Sequence, residues 1–401
     1  MRPRRRRPVW PWTALVAIAA IVLGIWLGGR HSDALPGFLR SALVGDQSTR
    51  VVRQAIDTVH DTYFRAIPQK QLANAAISGI VASLHDRFSN YFDPKQYAQF
   101  RQAQDNEFSG VGISVTGDPR GLRVEQVFDG SPAKAAHIVA GDVITGAAGR
   151  RLKGRPEAVS VALIKGPPGT AIRLTVLHAR RERHLTLTRS TVTVPVVASR
   201  LRTVAGKKIG VVALAQFSSG AHAQVYAALR RLQKEGARGY VLDLRGNGGG
   251  LVTEAQLIAS AFLRDGPIVS TRGRSVPSRT LMATGDPIVP DAPLAVLVDG
   301  GTASASEIVT GALQDRHRAV VVGMRTFGKG VFQEVLDLQN GGALDITAGH
   351  YYTPSGRNLG GRGVHTGAGI TPQVKAADDP RTKHVDEALE KALHVVAARV
   401  K

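Results

Sequence analysis

The sequence predicts an α/β protein with a mostly-β module inserted ahead of its core and helices ahead of both. Three observations support this. From Ile209 to Val322, apolar runs that read as buried strands alternate with amphipathic helical patterns. From about Glu107 to Ser190, short strands alternate with turns. From Asp46 to about Phe100, apolar residues recur every three or four positions, the helical period. At 401 residues the chain is long enough for two or three domains and a sizeable core.

Arg2 and Arg4 to Arg7 precede an uncharged run from Val9 to Gly29, with Trp10, Trp12 and Trp26 near its ends. At about 1.5 Å per residue this run spans roughly 30 Å, the hydrocarbon thickness of a bilayer, and the arginines would stay cytoplasmic. Residues 1–30 are therefore expected to form a single-pass membrane anchor, with the rest of the chain extracytoplasmic. The rival reading is a cleaved signal peptide and a secreted product. It meets an apolar run longer than a usual signal core and no clear Ala-x-Ala site before Arg30.

The formal charge is +21, and without the first 30 residues, which hold six arginines and no acid, it is still +15. Nucleic acid is not the expected partner. Aromatic residues make up 5% of the chain, and no zinc-finger pattern, helix-turn-helix signal or aromatic-interleaved basic run is present. Basic residues that solvate the surface, or face anionic lipid, account for the charge. The chain has no cysteine, which excludes disulfides and thiolate catalysis.

In the helical segment, 46–106, Val51, Val52, Ala55, Ile56 and Val59 mark one helix and Leu72, Ala76, Ile77 and Ile80 a second, with Pro68 between them. The turn-rich Asp86-Arg-Phe-Ser-Asn-Tyr-Phe-Asp-Pro94 follows, in which Tyr91 and Phe92 read as core anchors. The β module, 107–190, has strands at Val111–Val115, Leu122–Val127, Asp142–Ile144, Ile172–Leu177 and His184–Leu187, and Ser131 opens a short helix.

The core, 191–375, begins with a buried-type strand at Ile209–Leu214 and a helix at Ala221–Lys234 with Val225, Leu229 and Leu232 on one face. After the strand Tyr240–Leu244, the turn Arg245-Gly-Asn-Gly-Gly-Gly250 feeds a helix carrying Val252, Ala255, Ile258 and Phe262, so free amides gather at its start. The strand Pro293–Asp299 is turned by Gly300-Gly301 into a helix opened by Thr302–Ser306, with Ile308, Val309, Ala312 and Leu313 on one face. Strands at Val331–Leu338 and Leu344–Tyr352 follow, and the last helix lies within 376–401.

Ser304 thus sits at a strand-to-helix turn, beside unpaired amides and the positive end of a helix dipole that can hold a developing oxyanion. The stretch Thr326-Phe-Gly-Lys329-Gly-Val-Phe-Gln333 offers one lysine among glycines and apolar residues. Burial lowers a lysine pKa, and a neutral amine can take a serine proton. Ser304 and Lys329 therefore read as nucleophile and base.

Thr302-Ala-Ser-Ala-Ser-Glu307 and Thr326-Phe-Gly-Lys-Gly330, with Ser304 and Lys329 25 positions apart, resemble the carboxy-terminal processing peptidases, the tail-specific serine proteases of peptidase family S41. Asp243-Leu-Arg-Gly-Asn-Gly-Gly-Gly250, Tyr352-Thr-Pro-Ser-Gly356 and a PDZ-like segment extend the resemblance from about Val51 to Val374. It implies a crotonase-like core of stacked strand-strand-helix repeats with an inserted PDZ domain. It places the catalytic serine on Ser304, the general base on Lys329 and the glutamine that orients the lysine on Gln333. The Ala305 and Gly250 amides would form the oxyanion hole. In the PDZ module, Gly110, Val111, Gly112 and Ile113 would present amides to a peptide's terminal carboxylate as the peptide adds a strand. Where the family commonly has a glycine this chain has His137, and Ala147-Ala-Gly149 replaces the usual polar turn.

The implied activity is endoproteolysis of exported proteins near their C-termini after PDZ capture of the tail. The implied partners are protein C-terminal tails and the membrane, with an adaptor or a second copy left open, and no cofactor. The competing class is a catalytically silent PDZ scaffold at the membrane. An acyl-CoA hydratase would share the core but does not suit an anchor and a PDZ insertion. Ser131-x-x-Lys134 lacks the companion motifs of penicillin-recognising enzymes, and Gly323 to Gly330 lacks the Ser or Thr a phosphate loop needs after its lysine. The twelve histidines show no metal-ligand spacing, and His317, 13 residues after Ser304, falls at the far end of its helix.

Overall fold

The computed structural model describes residues 47–360, 369–379, 381–382 and 385–401. The expected membrane helix lies outside them, and among the described residues no helix is long and apolar enough to cross a membrane. The chain divides after His85 into two compact units.

In the first unit, helices Gln47–Thr62 and Gln69–Ala82 flank Pro68, whose fixed φ of −58° suits the residue that opens a helix. Gln69 Nε2 donates to Asp57 Oδ1 at 2.7 Å to tie the pair. The apolar positions that marked the first helix do not form a buried face, since Val51, Val52 and Val59 are all exposed.

The second unit is built on a six-stranded sheet, ordered 197–204, 207–214, 239–243, 294–298, 320–323 and 374–375. The first two strands pair antiparallel and the others parallel. These strands are almost continuously apolar because both faces are covered. Leu242, Val296 and Val298 pack with the helices Ala221–Lys234, Val252–Ser260 and Ala305–Asp315, while Val241, Ala295 and Leu297 pack against Glu387–Ala397 on the other side. The loops at the C-terminal ends of the parallel strands, 244–251 and 299–304, therefore lie side by side, where open α/β sheets carry their sites.

A second sheet centres on Ala343–Tyr352, which pairs with Val331–Asp337, with Asn90–Phe92 and with Pro267–Gly273. The segment after Asp86 thus adds a strand to the core, and Phe92 stacks on Phe100 with ring centroids 4.7 Å apart.

The PDZ-like module forms one antiparallel sheet ordered 113–118, 121–127, 143–147, 171–178 and 181–188, closed at its neck by pairing of 107–110 with 190–193. A helix not anticipated from the sequence, Glu157–Ile164, covers it and contributes Ile164 to the core of Leu122, Val124, Ile144, Leu174 and Val176. His137 has φ +54° directly after the short helix Pro132–Ala135, and its N–H donates to the Lys134 carbonyl. This is the left-handed, helix-ending position that glycine fills without a Cβ penalty. A left-handed L-residue costs about 1–2 kcal/mol, and glycine gives back roughly half of that as unfolded-state entropy. His137→Gly is expected to stabilise the protein by about 0.5 kcal/mol, as a higher urea midpoint at unchanged slope. A lower midpoint would refute the assignment.

Candidate active site

The strand Leu294–Val298 is buried throughout and delivers the chain to a tight elbow. Asp299 Oδ1 accepts the Gly246, Gly301 and Thr302 amides, and the Thr302 hydroxyl donates to the Leu244 carbonyl at 2.9 Å. Ser304 then adopts φ +56° and ψ −115° as the residue that caps the helix Ala305–Asp315. A non-glycine residue held there stores of order 1–3 kcal/mol, sustained by the surrounding bonds. His317 is exposed beyond the far end of that helix and cannot serve the serine.

The glycine turn packs against this elbow. The Ala303 amide and the Ser306 hydroxyl both donate to the Asn247 carbonyl, and buried Asn247 is fixed by its own side chain on the Leu214 carbonyl. Gly249, at φ +104°, lies so close that a Cβ would stand 2.9 Å from Ser304 Cβ and 3.0 Å from the Ala305 nitrogen. Gly250 bridges Phe217. Among the described residues neither the Gly250 nor the Ala305 amide donates a hydrogen bond, so both are available to an oxyanion.

The lysine loop is tied to the same elbow by a residue to which the sequence reading assigned no role. Glu307, fully buried one turn into the helix, accepts four hydrogen bonds: from the Ser304 amide (2.9 Å), the Thr326 hydroxyl (2.5 Å), and the Gly328 and Lys329 amides (both 2.8 Å). The Phe327 amide adds a bond to the Thr302 carbonyl. Lys329 Nζ donates to Gln333 Oε1 at 2.7 Å, and Gln333 Nε2 donates to Thr347 Oγ1 at 3.1 Å. No hydrogen bond joins Lys329 Nζ to the Ser304 hydroxyl, which instead meets the buried Tyr351 phenol.

Burial pushes the Lys329 pKa below its usual value, against the pull of Asp345, Asp86 and Glu307. The Phe88 ring, 5.0 Å from Nζ, also favours the charged form. Burial likewise raises the Tyr351 phenol, an effect the Ser304 hydroxyl partly reverses. Beside the site, Arg245 bonds Asp243 and Asp386, joining the glycine turn to the last helix, an ion network the sequence reading did not foresee. Among the described residues no cluster of three or more His, Asp or Glu side chains is placed to hold a metal ion.

In the PDZ module, Gly110 to Ile113 lead into an edge strand of the sheet, Ile113–Asp118, which pairs with a strand on one side alone among the described residues and whose Gly117 amide donates to Glu157 Oε2 at 2.9 Å. The Val111 carbonyl accepts the Ala133 amide and the Gly112 carbonyl accepts the Phe128 amide, which fixes the loop on the helix start. Gly112, at φ +82°, backs onto Ser131 with no room for a Cβ.

A serine at a strained elbow, a half-buried lysine on the next loop and an inserted peptide-binding module define a PDZ-bearing serine-type peptidase. Comparison with known proteins specifies the family. The model of peptidase family S41 matches residues 208–376, that of the PDZ domain 109–188, and that of the activating protease CtpB N-terminal domain 39–96. The chain is 38% identical over 322 residues to a carboxy-terminal-processing protease of Bartonella bacilliformis, covering 78% of this chain and 71% of that one. It is 30% identical over 363 residues to the carboxy-terminal processing protease CtpA of Bacillus subtilis, covering 90% and 75%. Among solved structures it resembles the photosystem II D1 C-terminal processing protease, with a TM-score of 0.50 and 30% identity over 88% of this chain and 97% of that one. The chain belongs to peptidase family S41, among the carboxy-terminal processing proteases.

Proposed function

We propose that the protein cleaves polypeptides near their C-termini with a Ser304–Lys329 dyad, after the PDZ module has taken the tail. The observation that carries this reading is the bridge through Glu307, whose carboxyl holds the Ser304 and Lys329 amides together. Neutral Lys329 accepts the Ser304 proton as the hydroxyl attacks the scissile carbonyl, and the ammonium then protonates the leaving amine. The Ala305 and Gly250 amides receive the oxyanion. Water releases the acyl-enzyme. Gln333 holds the amine at the strand and keeps it from swinging out. For the dyad to close, the amine must turn from Gln333 toward the serine, a movement that substrate alignment as an added strand would promote. The tail enters at Gly110 to Ile113 and pairs with the open edge strand, so that its terminal carboxylate meets the loop amides. The reading includes an N-terminal membrane anchor over Val9–Gly29, which would direct the peptidase to exported proteins.

The test is incubation of the protein with an unfolded substrate bearing an apolar C-terminal tail, with products located by mass spectrometry. Cleavage is expected in wild type and at least about 10³-fold slower in Ser304→Ala. Equal cleavage by both sinks the assignment. Binding of the tail by both with cleavage by neither favours the silent scaffold.

A further inference from the structure

We propose that Asp345 is a positioning residue for the Lys329 amine: its carboxyl is the counter-charge that holds the amine at the sheet and resists its losing a proton. The proposal rests on the Ser304–Lys329 reading and deepens it, because it names what sets the amount of neutral base.

Strand register supplies the geometry. Gln333 pairs with Thr347, and two residues along each strand Val335 pairs with Asp345. Cross-strand partners and their i+2 neighbours share a face of the sheet, so Asp345 stands on the face that carries Gln333 and Thr347, one pair from the bond that holds Nζ. Asp345 is half-buried, yet its carboxyl accepts no hydrogen bond from any described residue. Such a group is costly unless a cation faces it or it is neutral. The cation that acts on it is Lys329, from the loop 326–330, through space and without a direct ion pair, and Asp86 acts on it with like charge from the turn before Asn90. Asp86 is already engaged by the Phe88 amide and the Ser89 hydroxyl, at 2.9 and 2.6 Å. Glu307 is saturated by its four donors. Of the three carboxyls facing the lysine, from the strand, the turn and the helix, Asp345 alone lacks a hydrogen-bonding commitment.

The electrostatics agree with this placement. Among the charges that oppose the neutralising effect of burial on Lys329, Asp345 is the foremost. Burial in turn raises the Asp345 carboxyl to about 6, with Lys329 drawing it down and Asp86 pushing it up. At neutral pH Asp345 is therefore mostly ionised and favours the ammonium, which is the inactive form of the base. The pair constrains the amine at the cost of keeping it protonated.

The experiment compares wild type with Asp345→Asn, Asp345→Ser and Asp345→Glu in two readouts against pH. One is kcat/KM for cleavage of the tailed substrate. The other is competitive acetylation of the Lys329 amine by trace acetic anhydride, read by mass spectrometry, which reports the free amine without requiring turnover. In the two neutral variants the acid limb of kcat/KM and the labelling midpoint are expected to move together to lower pH, with several-fold faster cleavage on that limb. Asp345→Glu should stay near wild type. A labelling midpoint unchanged in both neutral variants overturns the proposal whatever the activity does. A midpoint that moves while the acid limb stays in place upholds the counter-charge and instead removes Lys329 as the base. Asp345→Ser serves where Asp345→Asn does not fold.

Discussion

Lys329→Arg is expected to leave a folded protein whose cleavage falls by about 10³-fold or more, because arginine keeps the charge and length of lysine but cannot be a neutral base. The substitution suits the site otherwise. A guanidinium can still face Asp345 and lie over the Phe88 ring, which is 5.0 Å from Nζ in the wild type. The backbone amide on Glu307 is untouched. What is lost is the deprotonated state, and with it the proton acceptor. The wild type should show the corresponding pH dependence. Burial places the folded-state lysine below its ordinary value, so activity rises with pH through that lowered pKa. Stability follows the same sign. Between the folded and unfolded values the unfolded chain binds more protons, so stability rises with pH across that window, and Lys329→Arg should flatten this component. Steady-state cleavage and urea melts across pH would show both effects. Wild-type turnover in Lys329→Arg would remove the lysine from its role.

Much of this site was legible because its chemistry is local in sequence. The elbow follows from an apolar strand, two glycines and small residues, and the helix Ala221–Lys234 was visible to its end residues because Val225, Leu229 and Leu232 mark one face. Two misses were legible in principle. Asp93-Pro94-Lys95-Gln96 has the capping-box pattern, and in the structure Asp93 and Gln96 cap the helix Pro94–Asp105 reciprocally. Ser304-x-x-Glu307 has the same spacing, yet helix capping gives no hint that the glutamate also reaches Thr326, Gly328 and Lys329. The remaining misses are non-local. Arg245 meets Asp386 from 141 residues away, and Asp345 comes to the lysine only through the register of two strands. The strand Arg279–Met282 is short and largely exposed, so it has little of the alternation that marks strands buried on one face.

Glu307→Gln is expected to damage both fold and chemistry, although it preserves size and polarity. Each carboxyl oxygen accepts two donors: Thr326 and Gly328 on one, Ser304 and Lys329 on the other. An amide keeps one acceptor oxygen and presents an NH₂ to the other pair, so donor faces donor at both the Ser304 and Lys329 amides in one flip, and in the other at the Gly328 amide, while the Thr326 hydroxyl loses its acceptor. Leaving buried donors unpaired costs about 1–3 kcal/mol each, and partial relaxation brings the expected loss to about 2–4 kcal/mol. The activity loss should exceed what the folded fraction explains. The glutamate fixes the spacing between the Ser304 and Lys329 backbones, and a misplacement of about 1 Å can cost about 10²-fold in rate. At a temperature where circular dichroism shows Glu307→Gln fully folded, kcat should therefore still be reduced by about 10²-fold while KM changes little, because in the proposed mechanism the PDZ edge strand, and not this elbow, takes the tail. If kcat recovers fully whenever the variant is folded, Glu307 supports only the helix start, and the two loops must be aligned by the Phe327 to Thr302 backbone bond and the glycine turn.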